Sequence, residues 1–528
     1  MQYKDEILAA IPTLLNKSQI FYFIDFIILA ILLIGKFIKI KQRDGFKIVP
    51  IIVTLICIIF FCTSYHLIPE SLELVTGFIY SKYKSVRYGT IYGYHYVDIK
   101  NAMTNNKSAA YENYDEMMQA YEELKNFQEE YASQKLSHEK LTGLAKGKNV
   151  FVVQLESVQQ FVINREINGR EITPNLNRFL AENISVTNMH ASSYTTTADS
   201  EHSFITSIYP SENGEAFSKY YSNTYDDIFK NYKKAGYTNV YAHGNYDTFW
   251  NRKNVFSKYD VDEVYFINDF ADTSELIRTY LSDELLYRQI LDMLPQTENP
   301  IFADIVAASS HKPFDLEGIQ NKESKISIDV GKYKGTQLGD YLEAVNYADY
   351  AFGIFLEELK TRGLYENSVI LVYGDHYGMT MYDEDLMEFL GENKQNYNAA
   401  RMQFEFSNVA CGMRIPEIQN RTIDYPVSKV DLKPTLMQIC GIEDTFSLGT
   451  SIFKQKPYVC VNNGKIIAGE YYYDAENWYD LKTGDILDLE SFDEETKNRL
   501  EKDVEYTDLE LGISMSVLTE NLLKGKLK

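Results

Sequence analysis

The stretch that decides the fold is Asn149–Ser157, NVFVVQLES, a continuous apolar run that ends in polar residues. Such a run is typical of a buried parallel strand that presents polar side chains at its carboxyl end. Outward from it, strand-like and helix-like stretches alternate, which predicts an α/β sheet with ligands at the strand carboxyl ends. The further predicted strands are TNVYAHGN, NPIFADIVAASSH and SVILVYGDH, and the predicted helices are TPNLNRFLAEN, TYDDIFKNYKKAGY and GDYLEAVNYADYAFGIFLEELKTRG.

The chain divides into four predicted parts. Residues 1–70 form a membrane part, and residues 71–147 form an aromatic, basic interfacial segment followed by a Glu-rich, solvated helical spacer. Residues 148–445 form the α/β domain. Residues 446–528 are strand-rich, then acidic and helical, which predicts a smaller C-terminal subdomain.

The membrane part is predicted from two apolar segments, about 20–35 and 48–66, that form a hairpin of transmembrane helices. A buried core hairpin is the alternative, and the basic loop between the two segments disfavours it. Under the positive-inside rule that loop is cytoplasmic, so everything after residue 66 is extracytoplasmic. The basic residues of the loop are Lys36, Lys39, Lys41, Arg43 and Lys47.

The composition narrows the classes of partner. Lys and Arg number 52 against 75 Asp and Glu, a net charge of −23. This excess argues against a nucleic-acid partner, because phosphate backbones are bound by clustered basic residues. The 5 cysteines show neither a CxxC pair nor a framework spacing, so neither a zinc knuckle nor a disulfide scaffold is indicated.

Polar side chains that can bind a metal follow several predicted strands. Glu156 ends the first strand, His243 another, and Asp375 with His376 a third, while His311 follows IVAASS. Any one of these residues alone is more typical of a hydrogen-bonded structural group than of a ligand. Their recurrence at one sheet edge indicates a divalent-metal site, since carboxylate and imidazole ligands suit Mn²⁺ or Zn²⁺.

The hydroxyl-rich segment YTTTADSEHSF predicts a helix N-terminus, with a threonine as N-cap and Glu201 in the first turn. The N-terminus of a helix presents N–H groups and a positive dipole end to a phosphate. A threonine hydroxyl activated there by a metal would be a nucleophile.

These residues carry a family resemblance. Five motifs in chain order resemble those of the lipoteichoic acid synthases over about residues 148–444: LESVQQF, TADSEHSFITSIYP, HGNYDTFWNR, SSHKPF and YGDHYG. The segment SQIFYFIDFIIL extends the resemblance into the membrane part. The resemblance implies a sulfatase/alkaline-phosphatase-like mixed sheet flanked by helices. It also implies a multi-pass protein of the cell membrane with an extracellular catalytic domain. The chain begins just before what resembles the fourth membrane helix of that family, so further upstream helices are expected.

The resemblance also implies the roles of individual residues. Thr197 would be the nucleophile that becomes esterified to glycerol phosphate, although Thr195 and Thr196 remain open, because SSYTTT replaces the Gly-containing loop of the family. The metal, Mn²⁺ by resemblance with Zn²⁺ or Mg²⁺ as alternatives, would be held by Glu156, Thr197, Asp375 and His376. The headgroup would be surrounded by His243, Trp250, Arg252 and His311.

Three of these residues have plainer alternatives. Arg252 is either a bidentate phosphate clamp or a surface charge. Trp250 either walls the pocket or fills the core. His311 either protonates the leaving alkoxide or caps a strand.

The function implied is transfer of glycerol phosphate from phosphatidylglycerol to a glycolipid or polyglycerol-phosphate acceptor. Another phospho-headgroup transferase, of phosphoethanolamine for example, or a phosphodiesterase would use the same parts. A sulfatase needs a Cys or Ser in a C/S-x-P-x-R context, whereas this chain has Thr-Ala-Asp-Ser-Glu from Thr197. A catalytically inactive, membrane-tethered binding protein is the alternative from a different class.

Overall fold

The computed structural model describes residues 109–135, 141–191, 196–211, 215–380, 383–391, 404–462 and 464–527. None of the helices in these ranges is long and apolar enough to cross a bilayer. The predicted membrane hairpin, its basic loop and the interfacial segment lie outside the described residues.

Nine of the described strands form one mixed sheet. In the order β12-β4-β11-β10-β1-β9-β5-β6, all neighbours from β10 to β6 run parallel, while β11 is antiparallel to both β10 and β4. β12 and β13 both pair with β4 in parallel. These strands are β1 (Asn149–Leu155), β4 (Ile184–His190), β5 (Thr238–His243), β6 (Glu263–Tyr265), β9 (Ile301–Val306), β10 (Ser368–Gly374), β11 (Asn408–Arg414), β12 (Arg421–Ile423) and β13 (Val427–Ser428).

The central strands are those predicted from uninterrupted apolar runs. Every residue of β10 is buried, and so is every residue of β1 after Asn149. Strands buried on both faces belong in the interior of a parallel sheet, where helices cover both sides. The predicted α/β class and the mixed sheet with flanking helices are confirmed.

Helices flank this sheet and two small hairpins lie outside it. The longest flanking helix is α9 (Gln337–Thr361), which begins after the N-cap Thr336. The helices are α1 (Tyr114–Lys135), α2 (Pro174–Glu182), α3 (Thr197–Thr206), α4 (Glu215–Ser218), α5 (Ile228–Lys234), α6 (Arg252–Phe256), α7 (Asp283–Asp292), α8 (Lys322–Lys325), α9 (Gln337–Thr361), α10 (Glu384–Leu390), α11 (Leu432–Cys440) and α12 (Glu494–Glu520). The hairpins pair β2 (Glu166–Ile167) with β3 (Arg170–Glu171), and β7 (Leu276–Ile277) with β8 (Tyr280–Leu281).

The C-terminal part forms a second, smaller sheet. Its five antiparallel strands follow chain order, and α12 comes after them. The strands are β14 (Val459–Asn462), β15 (Lys465–Ala468), β16 (Tyr471–Tyr473), β17 (Trp478–Asp480) and β18 (Ile486–Leu487).

The helix α1 differs from the solvated spacer that the Glu-rich sequence predicts. Met117 and Leu124 are fully buried in a hydrophobic cluster that also contains Leu500 and Val517 of α12. The ring of Phe127 stacks on Tyr506 with centroids 3.8 Å apart. The prediction of a fully solvated helix is wrong, because the few apolar residues of α1 form one stripe that packs against α12.

This packing makes α1 part of the stability of the described unit. Leu124→Ala should lower the free energy of unfolding by about 2–5 kcal/mol, the usual cost of a Leu-to-Ala cavity. The measurement is the midpoint of urea unfolding in detergent. Glu122→Ala, on the exposed side of the same helix, is the matched control and should be near neutral. Equal midpoints for both variants would contradict the packing.

Candidate active site

The site lies where β1 and β10 end. The two strands are parallel neighbours in register, with Leu155 opposite Gly374, so Glu156 and Asp375 emerge side by side at one sheet edge. A Cβ added at Gly374 would lie 2.1 Å from the carbonyl oxygen of Val158. Glycine at this position therefore allows the strand end and the segment after Glu156 to approach closely.

Glu156, Asp375 and His376 form the acidic cluster of the site. Each offers one ligand atom, and these atoms lie within 4.8 Å of one another. His376 Nε2 is 3.5 Å from Glu156 Oε1 and 3.5 Å from Asp375 Oδ2. All three side chains are buried.

Hydrogen bonds from the backbone orient this cluster. The N–H groups of Ser157 and His376 each donate to Asp375 Oδ1 at 2.7 Å. Ser157 has a φ of 57°, a left-handed conformation that is uncommon outside glycine. Its hydroxyl donates to Glu156 Oε1 at 2.7 Å, and the hydroxyl of Ser310 donates to the Glu156 carbonyl at 2.5 Å.

The electrostatics of the cluster suit a cation. Burial and the nearby Asp375 charge raise the pKa of Glu156 to about 8, against opposing contributions from His376, Ser157 and Thr197. Asp375 Oδ2 is buried and has no hydrogen-bond partner among the described residues. Two buried carboxylates and an imidazole with one such unpartnered oxygen fit a divalent cation, which would remove the repulsion between the two acids.

Thr197 is the first residue of α3, and its side chain faces the cluster. Its hydroxyl Oγ1 donates to Glu156 Oε2 at 3.2 Å. Thr196 is the N-cap, since its side chain accepts a hydrogen bond from the Asp199 N–H at 3.1 Å. Of the threonine triplet, the structure thus brings Thr197 to the acidic cluster and uses Thr196 as the cap, while Thr195 lies outside the described residues.

Glu201 has a different place from the one predicted. The acidic residue in the first turn of α3 is Asp199. Glu201 lies one turn further on, where it forms a fully buried ion pair with Arg252 and accepts a hydrogen bond from the Tyr241 hydroxyl at 2.8 Å. The prediction of Glu201 as a first-turn residue is wrong, because the helix begins at Thr197 and its first turn ends before Glu201.

Arg252 and Trp250 lie on the segment that follows β5. Arg252 is fully buried, with Nε 3.3 Å from Glu201 Oε2, so the alternative of a surface charge is wrong. Trp250 and Asn251 have φ values of 52° and 58°. Two consecutive left-handed residues outside glycine are costly and occur where surrounding structure fixes them. The Trp250 side chain is half-buried and packs against the main core beside the exposed Phe249.

The two further histidines are positioned through backbone carbonyls. His243 Nδ1 lies 3.0 Å from the carbonyl oxygen of Val306, and His311 Nδ1 lies 2.6 Å from that of Lys312. A carbonyl only accepts hydrogen bonds, so Nδ1 carries the proton in each ring and Nε2 is left as the second functional nitrogen. Burial lowers the pKa of both histidines, with the charge of Arg252 lowering that of His243 further and Asp375 opposing the effect at His311.

Comparisons with known proteins identify the family to which the chain belongs. A family model described as Sulfatase matches residues 148–442, more than half of the chain. The chain belongs to the sulfatase family. A second model, the lipoteichoic acid synthase N-terminal domain, matches residues 1–111.

Several relatives of this sulfatase-family protein are lipoteichoic acid synthases or proteins named as similar to them. Lipoteichoic acid synthase-like YvgJ of Bacillus subtilis is 31% identical over 393 residues, which are 72% of this chain and 61% of YvgJ. The lipoteichoic acid synthase of Staphylococcus aureus is 28% identical over 502 residues, 92% of this chain and 75% of that protein. The crystal structure of lipoteichoic acid synthase LtaP from Listeria monocytogenes matches with a TM-score of 0.65 and 26% identity, covering 75% of this chain and 98% of that chain. The predicted resemblance to lipoteichoic acid synthases is confirmed, and the chain spans less than two thirds of the length of YvgJ.

Sequence reasoning missed several residues of this sulfatase-family site. Ser157 and Ser310 directly adjoin predicted ligands in LESV and SSH, so their positions could have been found from those motifs. Glu201 was assigned to the wrong turn.

The acidic cluster makes a prediction about metal binding. Asp375→Asn keeps a hydrogen-bond acceptor for the two backbone N–H groups but removes a charged ligand. It should weaken binding of the preferred divalent cation at least tenfold and abolish most of the thermal stabilisation by that cation. Melting temperatures with Mn²⁺, Zn²⁺ or Mg²⁺ test this, with the exposed Glu182→Gln as control. Unchanged stabilisation of Asp375→Asn would argue against a metal at this cluster.

Proposed function

We propose that this protein transfers glycerol phosphate from phosphatidylglycerol to a lipoteichoic-acid-type acceptor on the outer face of the membrane. The observation that carries the proposal is the Thr197 hydroxyl, placed at a helix N-terminus and hydrogen-bonded to Glu156 beside Asp375 and His376. The similarity to lipoteichoic acid synthases supports the choice of donor and acceptor.

A divalent cation, with Mn²⁺ as the first candidate and Zn²⁺ or Mg²⁺ as alternatives, would be held by Glu156, Asp375 and His376, with Thr197 as a fourth ligand. When bound it would lower the pKa of the Thr197 hydroxyl and neutralise charge on phosphoryl oxygens. The chain itself supplies orientation. The Glu156 carboxylate holds the Thr197 hydroxyl toward the cluster, and the first turn of α3 directs its dipole at the same point.

Two displacements at phosphorus complete the transfer. Thr197 Oγ1 attacks the phosphorus of phosphatidylglycerol, and the bond to the diacylglycerol oxygen breaks. The glycerophosphate is then esterified to Thr197. An acceptor hydroxyl attacks the same phosphorus, the bond to Oγ1 breaks, and Thr197 is restored.

His311 would move the protons of these steps. Its Nδ1–H is engaged with the Lys312 carbonyl, so the ring would act as an acid in its imidazolium form, in which Nε2 carries a second proton and gives it to the departing diacylglycerol oxygen. The Lys312 carbonyl and the Asp375 charge favour this form and oppose the effect of burial on the pKa of His311. In the second displacement Nε2 takes a proton from the acceptor hydroxyl, so the residue ends each cycle as it began. The Tyr280 ring, with its centroid 5.3 Å from that of His311, limits the imidazole orientation.

His243, Trp250 and Arg252 would bind the glycerophosphate headgroup. His243 ends β5 beside Val306 at the same sheet edge as Glu156 and Asp375. The Arg252 guanidinium is buried and paired with Glu201, so a bidentate contact with a phosphate would require this ion pair to open. Trp250, on its constrained backbone, would form the wall of the pocket.

The remaining layout of the chain is part of this proposal. A membrane part at 1–70 and a linker at 71–147 would keep the catalytic domain at 148–445 close to a lipid donor. The basic loop would face the cytoplasm and place that domain, with the subdomain at 446–528, outside the cell.

The nucleophile can be identified within the threonine triplet. Thr197→Ala should abolish both diacylglycerol release and the glycerophosphate-bearing peptide, because no hydroxyl remains at the acidic cluster. Thr196→Ala is the matched control: it removes the N-cap and about 1 kcal/mol of stability but keeps the nucleophile. The full-length protein is incubated in detergent with labelled phosphatidylglycerol and the divalent cation, and its peptides are analysed by mass spectrometry. Modification of Thr196, or full activity of Thr197→Ala, would refute the assignment.

The proton transfer by His311 predicts a dependence on the leaving group. His311→Gln should slow release of diacylglycerol about 10²- to 10⁴-fold, the usual contribution of a general acid. With a nitrophenyl glycerophosphate diester the leaving group needs no proton, so the first displacement should be nearly normal in the same variant. Single-turnover rates with the two donors check this. An equal loss with both donors would show a positioning role for His311 instead.

A further inference from the structure

Residues 280–283 form a short segment that comprises β8 and the first residue of α7. The Leu281 N–H donates to the carbonyl oxygen of Gly244 at 2.7 Å, and Gly244 directly follows His243. A Cβ added at Gly244 would lie 3.1 Å from the Leu281 carbonyl oxygen, so glycine permits this close approach. The segment is thereby anchored to the end of β5, beside His243.

The last residue of this segment holds the turn that carries His311. Asp283 Oδ1 accepts hydrogen bonds from the backbone N–H groups of Ala308 at 2.9 Å and Ser309 at 3.1 Å. The Asp283 N–H in turn donates to Ser309 Oγ at 2.9 Å. Asp283 and Ser309 are both fully buried. The three bonds fix the two residues that directly precede Ser310 and His311.

The same segment contacts His311 from two sides. The His311 N–H donates to the Ala308 carbonyl oxygen at 3.1 Å, so the residue that Asp283 binds also holds the backbone of His311. The Tyr280 ring lies with its centroid 5.3 Å from that of the imidazole. His311 is therefore restrained through its backbone by Asp283 and through its ring by Tyr280.

The Asp283 carboxylate is a strong acceptor for these bonds. Burial raises its pKa to about 6, and the hydrogen bonds from Ala308 and Ser309 oppose that rise. The group is therefore ionised at neutral pH, and hydrogen bonds to charged acceptors are the stronger ones. Its other oxygen, Oδ2, is buried without a hydrogen-bond partner among the described residues. The contact with the turn is thus made by Oδ1.

We propose that Asp283 is a positioning residue, which holds the imidazole of His311 at the active site through the backbone of residues 308 and 309. Because Leu281 ties the segment to the end of β5, His311 is placed relative to His243. The catalytic consequence rests on the proposed function, in which His311 Nε2 exchanges a proton with the departing or attacking oxygen. Such a transfer needs hydrogen-bond reach between the two atoms. A displaced imidazole would therefore transfer the proton poorly.

The proposal predicts a loss of activity that depends on the leaving group. Asp283→Ala should slow diacylglycerol release from phosphatidylglycerol about 10- to 100-fold, because the imidazole is misplaced. With the nitrophenyl glycerophosphate diester, which needs no proton on its leaving group, the first displacement should stay within about twofold of wild type. Asp283→Asn keeps Oδ1 and should restore most of the rate with the natural donor. In a His311→Gln background, Asp283→Ala should cause no further loss.

Asp349→Ala is the matched control. Asp349 is another buried carboxylate that accepts backbone N–H groups, those of Asn175 at 3.0 Å and Leu176 at 2.7 Å, at the start of α2, which carries none of the proposed site residues. Its removal should lower stability without any dependence on the leaving group. If Asp283→Ala does not fold, Ser309→Ala, which removes the acceptor of the Asp283 N–H, should show the same dependence to a smaller extent.

A second measurement does not need turnover. The full-length protein in detergent is treated with diethyl pyrocarbonate, and modification of His311 is followed by mass spectrometry of its peptide. Asp283→Ala should react about threefold faster than wild type, because a loosened turn exposes the imidazole more often, whereas Asp349→Ala should react at the wild-type rate. Equal losses with both donors, or an unchanged rate of modification in Asp283→Ala, would overturn the proposal. No turnover of either donor by the wild type, together with faster modification in Asp283→Ala, would refute the proposed function and leave the positioning of His311 standing.

Discussion

The constraint on which the site depends is the burial of two carboxylates, Glu156 and Asp375, at the ends of neighbouring parallel strands. Burial raises the pKa of Glu156, and the nearby Asp375 charge raises it further. The fold offsets part of this cost with two backbone N–H groups on Asp375 and with the hydroxyl groups of Ser157 and Thr197 on Glu156. It leaves Asp375 Oδ2 unpartnered within the described residues. A pocket built in this way favours the cation-bound state over the empty one.

The helix α3 connects this pocket to a second buried charged group. Thr197 at its start serves the acidic cluster, while Glu201 one turn later holds Arg252 and accepts the Tyr241 hydroxyl. Asp304 lies in the same region on β9, opposite Tyr241, and burial with the Glu201 charge raises its pKa while Arg252 opposes this. One short helix thus fixes both the Thr197 hydroxyl and the Arg252 guanidinium, so a shift of α3 would move the proposed nucleophile and the proposed phosphate-binding group together.

The strands and the residues at their ends are predicted well because they depend on the local pattern of apolar and polar residues. Strands buried on both faces have uninterrupted apolar runs, and the polar residues that end them, Glu156, His243 and Asp375, must share the sheet edge once the strands are parallel. The pairing of Glu201 with Arg252 spans 51 residues, and the packing of Leu124 against α12 spans several hundred. Neither leaves a local trace. Where the sequence fails, the cause is contact between distant segments.

Membership of the sulfatase family does not by itself determine which reaction is catalysed, because the reaction also depends on which residue serves as the nucleophile. In sulfatases, the Cys or Ser of the C/S-x-P-x-R context is converted to formylglycine, and the hydrate of that residue carries a second hydroxyl that can expel the bound ester from within. Thr197 has one hydroxyl, so a glycerophosphate esterified to it, as proposed, would persist until an external hydroxyl attacks phosphorus. Whether transfer or hydrolysis follows then depends on whether the acceptor hydroxyl or a water molecule reaches the ester first. The burial of Thr197, which is 7% exposed, restricts water, and an acceptor bound close to the pocket would have the higher effective concentration. A threonine in this setting therefore favours a transferase over a hydrolase on the same scaffold.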